Sequence, residues 1–437
     1  MITVGLDFGT HQTKVCYERV EAGTAFYEVF PFRTVDGSRA PTLPSFIRIR
    51  EDNTLRYGHE AMADGARGRA VTYFKQVVFS WTISEARRVE AEKWAVLYLA
   101  FVIFKLDALF RDEQYRVHMG MPTDADPSHY AFCKGQAIKV LGAAMLMARN
   151  VFKRDLVAYH KMPYERLVDL VTKCLAAVPA NVVAARMMFP IFVFPEAYVA
   201  LIPLIKAGRL PSIGPNLFVD IGGGTVDISF FTNQMDRVAG VNRPYLYYYC
   251  SIPYGLNMIA GQDPEHCHNV EVGVGQITRQ RVDLFREKMI STVDTMMEVL
   301  KQQYKDMGRT NVMPFTNLCG QILDGRPICY SGGGSMFHGL RLPLSNARVG
   351  ANYNFTQVTS VSALIDHSKL YVNNMMFHVL ATAFALAHQS LVSVRSGEEP
   401  DSIKLVSLDK LFQGIRNPVT PVSAMRNKWD RPRRWNW

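Results

Sequence analysis

One short pattern occurs twice in this chain, and it restricts the fold more than any other feature. Near the start the chain reads Val4-Gly-Leu-Asp7-Phe-Gly9-Thr10-His-Gln-Thr13-Lys14-Val15. In the middle it reads Leu217-Phe-Val-Asp220-Ile-Gly222-Gly223-Gly224-Thr225-Val226-Asp227-Ile228-Ser229. Each copy is an apolar strand, an Asp, a Gly/Thr turn and a second strand. An Asp at a strand end suits a divalent metal, held directly or through water. Turn glycines lack a β-carbon, so their backbone N–H groups come within reach of phosphate oxygens. One such turn carries little weight, because tight hairpins use the same residues for structure alone. Two copies in comparable strand contexts predict two lobes gripping one nucleotide from opposite sides.

A chain of 437 residues is too long for one compact core, so two or more domains are expected. With 48% apolar and 20% charged residues the composition is that of a soluble globular protein. No opening segment has the layout of a signal peptide. The apolar run Trp94 to Phe104 is too short to span a bilayer, and Met187 to Ile205 is interrupted by Pro190, Pro195, Glu196 and Pro203. Both are expected to be buried core. The 7 cysteines are scattered and show no CxxC spacing, which fits free thiols in a reducing cytoplasm. His266-Cys267-His268 is the one local metal-like cluster in the sequence, and adjacent ligands of this kind rarely close a site alone, so no zinc site is expected.

The formal net charge is +10, and it is concentrated at the end. Arg426, Lys428, Arg431, Arg433 and Arg434 alternate there with Trp429, Trp435 and Trp437. The expectation is a protein contact, to a partner or to another copy, through Arg426–Trp437. Nucleic acid is the lesser alternative, since no nucleic-acid motif accompanies the charge.

Along the chain, strand-like runs follow at Ala25 to Pro31 and Ser45 to Ile49. Thr54 to Ala61 reads as a turn entering a helix. Helical spacing runs from Ser84 to Phe110, and Arg116 to Met121 is a short strand closed by Pro122. Phe132 to Met147 reads as an amphipathic helix, and Leu167 to Val178 fits either strand or helix. Pro195 is expected at the first position of a helix with the acidic Glu196 in its first turn. Gly208 to Pro215 reads as a connector. Helical patterning returns from Gln276 to Tyr304. Ile328 to Ser335 is a strand running into a glycine turn, and Asn373 to Leu391 is an Ala-rich helix.

Taken together, these residues resemble the ATPase superfamily of actin, sugar kinases and the seventy-kilodalton heat-shock chaperones. Asp7-x-Gly9-Thr10 is similar to its first phosphate motif. Asp220-x-Gly222-Gly223-Gly224-Thr225-x-Asp227 is similar to the second, in the form nearest the chaperone branch. Ser38-Arg-Ala-Pro41-Thr-Leu-Pro44-Ser45-Phe with Tyr57-Gly58-His-Glu-Ala61 also resembles that branch. Phe194-Pro195-Glu196-Ala197 is similar to its connecting region, and Gly333-Gly334-Ser335 to its adenosine motif.

The resemblance implies a two-lobed α/β fold with duplicated ribonuclease-H-like domains and an ATP cleft between them. Residues 1–210 would form the first lobe, 216–395 the second, and 396–437 an extension. It implies Mg²⁺ oriented by Asp7 and Asp220. It implies phosphates held by Gly9, Thr10, Gly222, Gly223, Gly224 and Thr225. Lys14 sits where actin keeps a phosphate-binding lysine, and Lys75 where the chaperones keep a catalytic one. Glu196 and Asp227 are candidates to position the attacking water. The adenosine side would be Gly333, Gly334 and Ser335, with Phe337 where the chaperones place an Arg against the base. Arg286 is the candidate for the ribose. The implied activity is slow ATP hydrolysis in a nucleotide-controlled switch for a protein partner. No peptide-gripping sandwich fits in the last stretch. The alternatives are a filament-forming actin-like ATPase and a small-molecule kinase.

Overall fold

The computed structural model describes residues 1–64, 68–111, 113–153, 155, 160–206, 215–236, 241–259, 278–306, 327–336, 340, 348–349, 353–354, 357–360, 370 and 372–391. It is a mixed α/β protein built around a six-stranded and a five-stranded mixed sheet, the sixth strand, Thr42–Pro44, branching off the first, with several smaller sheets beside them. Each repeated motif forms the central hairpin of one large sheet. In the first sheet β1 (Ile2–Asp7), β2 (Gln12–Glu21) and β3 (Thr24–Val29) are antiparallel neighbours. On the other side of β1 lie β4 (Tyr115–Met121) and β5 (Ile191–Pro195), both parallel to it. The second sheet repeats this plan. The strands β6 (Pro215–Ile221), β7 (Val226–Asp236) and β8 (Val241–Ile252) are antiparallel. The strands β9 (Pro327–Ser331) and β10 (Gln357–Ser360) follow parallel to β6. Both sheets therefore share one strand order and one pattern of directions, although their sequences agree only at the hairpin.

The strands look as their composition dictates. β1 is buried along its whole length, and so is β4, as parallel central strands covered on both faces require. The apolar run Trp94 to Phe104 lies inside a helix, Glu85–Phe110, and is buried in the core of the first sheet. A neighbouring helix, Pro127–Leu146, begins five residues before the apolar pattern does. Asp126 explains the early start: its carboxylate accepts from the N–H groups of Ser128 and His129, and Pro127 supplies a prefixed first turn. Leu167 to Val178 resolves as helix, Tyr164–Ala177, with Leu167, Val171 and Cys174 on its buried face.

One expected boundary is corrected. Pro195 does not open a helix but ends β5, paired with Met121, and Glu196 is the first helical residue of Glu196–Val199. The apolar run Ile191 to Phe194 gains more by pairing in the sheet, and the chain turns helical only after it. The run Met187 to Ile205 is thereby split among a helix, a strand and two short helices. Thr54 to Ala61 likewise divides, into a strand, Leu55–Tyr57, and a helix, Gly58–Ala63.

A separate apolar cluster joins the two sheets. Phe218, Phe231 and Cys329 of the second sheet pack there with Cys16 of the first. Ala197, Leu201 and Leu204 enter it from the short helices after β5, and Phe377, Ala381 and Phe384 from the helix Asn374–Leu386. That helix, late in the chain, lies directly on β1: a β-carbon at Gly5 would stand 2.2 Å from the carbonyl of Ala383. The two sheets are thus held together by buried helices.

Among the described residues, one helix, Pro127–Phe152, is long and apolar enough to cross a membrane, and most of it is buried in the protein. Cys16, Cys133, Cys174, Cys250 and Cys329 are free buried thiols. The His266 to His268 cluster, the tail Arg426–Trp437 and the connector from Gly208 to Pro215 lie outside the described residues, except that Pro215 opens β6.

Candidate functional site

The two hairpin turns meet. A cavity of about 330 Å³ lies between them, lined from the first sheet by Asp7, Gly9, Thr10 and Lys14 and from the second by Asp220, Gly222, Gly223, Gly224, Thr225 and Asp227. The approach is close enough that side chains are excluded. A β-carbon on Gly224 would stand 2.4 Å from Thr10 Oγ1, and one on Gly223 would stand 2.9 Å from His11 Cβ. The N–H groups of Thr10, Gly223 and Gly224 find no acceptor among the described residues. Such N–H groups facing a cavity form a ready site for an anion. The turn carbonyls are used differently: those of Gly222, Gly223 and Gly224 accept from Leu256, Asn257 and Gly255. Those bonds pin the second turn to the chain after β8.

Register decides the charge at each turn. In the first hairpin Asp7 lies opposite Lys14, and Lys14 Nζ donates to Asp7 Oδ2 at 2.9 Å. In the second hairpin Asp220 lies opposite another acid, Asp227. Lys75 comes from the short helix Phe74–Phe79, entered through Tyr73 in a left-handed conformation at φ 58°. Its ammonium is buried and donates to Glu196 Oε1 at 2.7 Å. Gln76 beside it donates to the Gly224 carbonyl at 2.8 Å, clamping this helix to the opposite turn. Both lysines singled out in the sequence therefore line the same cavity.

The cavity holds four carboxylates, Asp7, Glu196, Asp220 and Asp227, against two ammonium groups, Lys14 and Lys75. This leaves a formal excess of two negative charges in a buried place, and the acids respond. Burial, followed by the Asp7 charge, pushes Asp220 up to about 7 despite Lys14 and the hydroxyl of Thr382. Burial and then the charges of Glu196 and Asp220 push Asp227 well above the usual carboxylate range, against Ser251 and Lys75. Glu196 is raised by burial, with Lys75 opposing and Asp7 reinforcing. Burial alone would lower Lys75, but Glu196, Asp7 and Asp227 outweigh it, so the ammonium is held charged. His11 is lowered to about 4 by burial and then by Lys14, so its ring is neutral.

At the other end the strand β9 runs into a glycine turn. Gly332 is left-handed at φ +81°, and a β-carbon there would stand 2.2 Å from Asp220 Oδ1. Gly333, Gly334 and Met336 line the cavity. Ser335 stands behind them and does not line it: its hydroxyl donates to the Gly332 carbonyl at 2.7 Å and is 3.2 Å from His378 Nδ1. Phe337 lies outside the described residues. Arg286 is exposed on the helix Arg279–Asp306 and does not line the cavity.

Several lining residues escaped the sequence reading: His11, Gln12, Asn257, His378, Val379 and Thr382. Thr382 Oγ1 donates to Asp220 Oδ2 at 3.1 Å. His378 and Thr382 are four residues apart on an otherwise apolar helix, a polar stripe that the sequence does display. Three polar atoms of the cavity lining, His11 Nδ1, Asp227 Oδ1 and Asn257 Oδ1, are buried without a partner, which marks a place where a ligand or water is expected. Among the described residues no group of three or more His, Cys, Asp or Glu side chains is placed to cage a metal ion. Asp7 and Asp220 are the carboxylates of the lining that could hold a metal ion through its waters.

Comparison of the chain with known protein families and with curated proteins gives no match.

Proposed function

We propose that this protein binds Mg·ATP between two actin-like lobes, hydrolyses it slowly, and uses the nucleotide as a switch for a protein partner. The observation that carries the reading is the meeting of the two repeated turns across one cavity, each from a sheet of the same strand order. The duplicated order is what two ribonuclease-H-like lobes require, with the helix Asn374–Leu386 returning to complete the first. The formal excess of two negative charges in the cavity lining supports a divalent cation beside Asp7 and Asp220.

In this reading a bound Mg²⁺ would supply positive charge against the phosphates. Asp7 and Asp220 orient its waters. Thr10, Thr225 and the N–H groups of Gly223 and Gly224 bind phosphate oxygens. Lys14 and Lys75 provide the cations needed where charge builds on the transferred group. Glu196 and Asp227, both raised and both on the cavity wall, orient a water for attack. Gly333, Gly334 and Met336 line the adenosine side. The buried free thiols fit a reducing cytoplasm. The tail Arg426–Trp437 is the segment proposed to engage the partner.

Phosphate release by the purified chain tests the reading. Turnover should require Mg²⁺ and should be lost in Asp7→Ala with the fold intact. Metal-independent turnover, or a normal rate in that variant, would contradict it.

A further inference from the structure

A second cavity, of about 540 Å³, lies at the far end of the first sheet. Met1, just ahead of β1, and Tyr115, the first residue of β4, line it, whereas Asp7 at the other end of β1 lines the nucleotide cavity. Six residues of extended chain, about 20 Å, separate the two ends. Among the described residues none lines both cavities, so a ligand here is independent of the nucleotide reading.

The backbone around this cavity is costly. The helix Glu85–Phe110 closes on Arg111, at φ 44° and ψ −91°. The helix Pro127–Leu146 continues into a π-helical segment, Met147–Phe152, which closes on Lys153 in the left-handed region at φ 44° and ψ 39°. Helices often close on a left-handed residue, and that residue is usually glycine. Here both closing residues are cationic, and both line the cavity. Offsetting a helix end does not require this, because a Lys or Arg in the last turn does so on ordinary helical backbone. The π-helical segment is a further irregularity at the same place, and it contributes Ala148 and Arg149 to the wall. π-Helical turns and strained non-glycine residues gather at functional sites.

Charge divides the lining into a fixed part and a spare part. Asp107 accepts from Arg149 Nε and Nη2, both at 3.2 Å, and from the Tyr115 hydroxyl at 2.6 Å. Glu113 accepts from Arg19 at 3.0 Å. Each acid of the lining thus has its own arginine. Among the described residues Arg111 and Lys153 have no carboxylate partner, and both are exposed. Two positive charges are left over; the two helix ends offset about half a charge each, so a net positive charge remains. An anion is the complement of such a wall. Phe104, Ala148 and Pro190 add apolar surface, and the volume falls within the roughly 300–1,000 Å³ of organic-ligand sites, more than a bare inorganic ion fills. A phosphate monoester with an apolar body meets both demands, because its head carries nearly two charges on oxygens enough for an Arg and a Lys at once.

We propose that this cavity binds a small phosphate monoester with an apolar body, its phosphate held by Arg111 and Lys153 and its body laid against Phe104 and Pro190. The two cations stand on strained backbone because their charge is used there. Glycine takes those backbone angles without strain, so glycine at either position should spare the fold and spoil the site.

The test titrates the full chain with phenyl phosphate by calorimetry, beside phenol and inorganic phosphate, which carry the body and the head alone. Phenyl phosphate should saturate one site per chain, weaken with added salt, and bind at least about tenfold more tightly than either half. Arg111→Gly and Lys153→Gly should each weaken it at least about tenfold, the worth of a charged hydrogen bond, without lowering the thermal unfolding midpoint. Lys153→Arg, which keeps the charge, should bind nearly as the wild type does. No saturable binding at millimolar phenyl phosphate would overturn the proposal. So would glycine variants that bind as well as wild type, which would put the anion elsewhere, the nucleotide cavity included. Glycine variants with a lower unfolding midpoint would show that the two cations serve the fold, and would overturn it as well. Capture of the chain by vesicles of phosphatidic acid, without binding of phenyl phosphate, would assign the cations to a membrane instead of a small ligand.

Discussion

Replacing Asp220 with Asn should stabilise the nucleotide-free protein while destroying its activity. Asp220 lies partly buried in a cavity lined also by Asp7, Glu196 and Asp227, and desolvation followed by the Asp7 charge raises it from 3.8 to about 7. That rise corresponds to about 4 kcal/mol of unfavourable environment for its charged form. Below 3.8 both folded and unfolded chains hold the proton and nothing is lost. As pH climbs from 3.8 to about 7 only the unfolded chain releases the proton, so stability falls steadily. Above about 7 the folded chain also ionises, and the full penalty stays constant. An Asn at 220 keeps an acceptor for Thr382 Oγ1 but carries no charge. Urea or thermal unfolding of both proteins in chelator, from about pH 4 to about pH 8, measures the difference. Asp220→Asn should gain little at the acid end and up to about 4 kcal/mol at the alkaline end. Adding Mg²⁺ should raise the wild type and leave the variant nearly unmoved. A variant less stable than wild type at the alkaline end, or a difference that does not change with pH, would refute the argument.

Three further outcomes follow from the same geometry. Lys75→Ala leaves Glu196 buried without its ammonium partner and should cost about 3–5 kcal/mol; adding Glu196→Ala should recover part of it, read by unfolding midpoints. Gly224→Ala drives a β-carbon into Thr10 and should weaken ATP binding at least about tenfold in calorimetry, a loss of about 1.4 kcal/mol, because the two turns must part. Truncation after Met425 should leave ATP binding nearly unchanged and weaken assembly or partner capture, as sedimentation with and without ATP would reveal. Salt-dependent binding to DNA or RNA that vanished with the tail would move the partner to nucleic acid.

The parts of the site legible in the sequence were those written in local geometry. Asp7, Gly9, Thr10, Asp220 and the glycines 222–224 announce themselves because a strand, an acid and a side-chain-free turn are contiguous. The strand order of the two sheets was not legible from the residues themselves. The β4 and β5 strands join β1 from more than a hundred residues away, and only the alternation of elements hinted at them. Lys75 and Glu196 were candidates one by one, but their pairing across 121 positions depends on how a helix and a strand end converge. Thr382 and His378 reach the cavity from a mostly apolar helix, whose short polar stripe does not by itself say what it faces. Pro195 was misplaced for a simpler reason. Proline suits a strand end as well as a helix start, and pairing with Met121 decided between them.

The most direct test of the account is calorimetric titration of the purified chain with ATP, with and without Mg²⁺, in wild type and in Asp7→Ala. One site per chain, tight with Mg²⁺ and strongly weakened either by chelator or by Asp7→Ala, is the predicted result. A folded chain that takes up no nucleotide at millimolar Mg·ATP would contradict the central claim that the two turns grip one nucleotide.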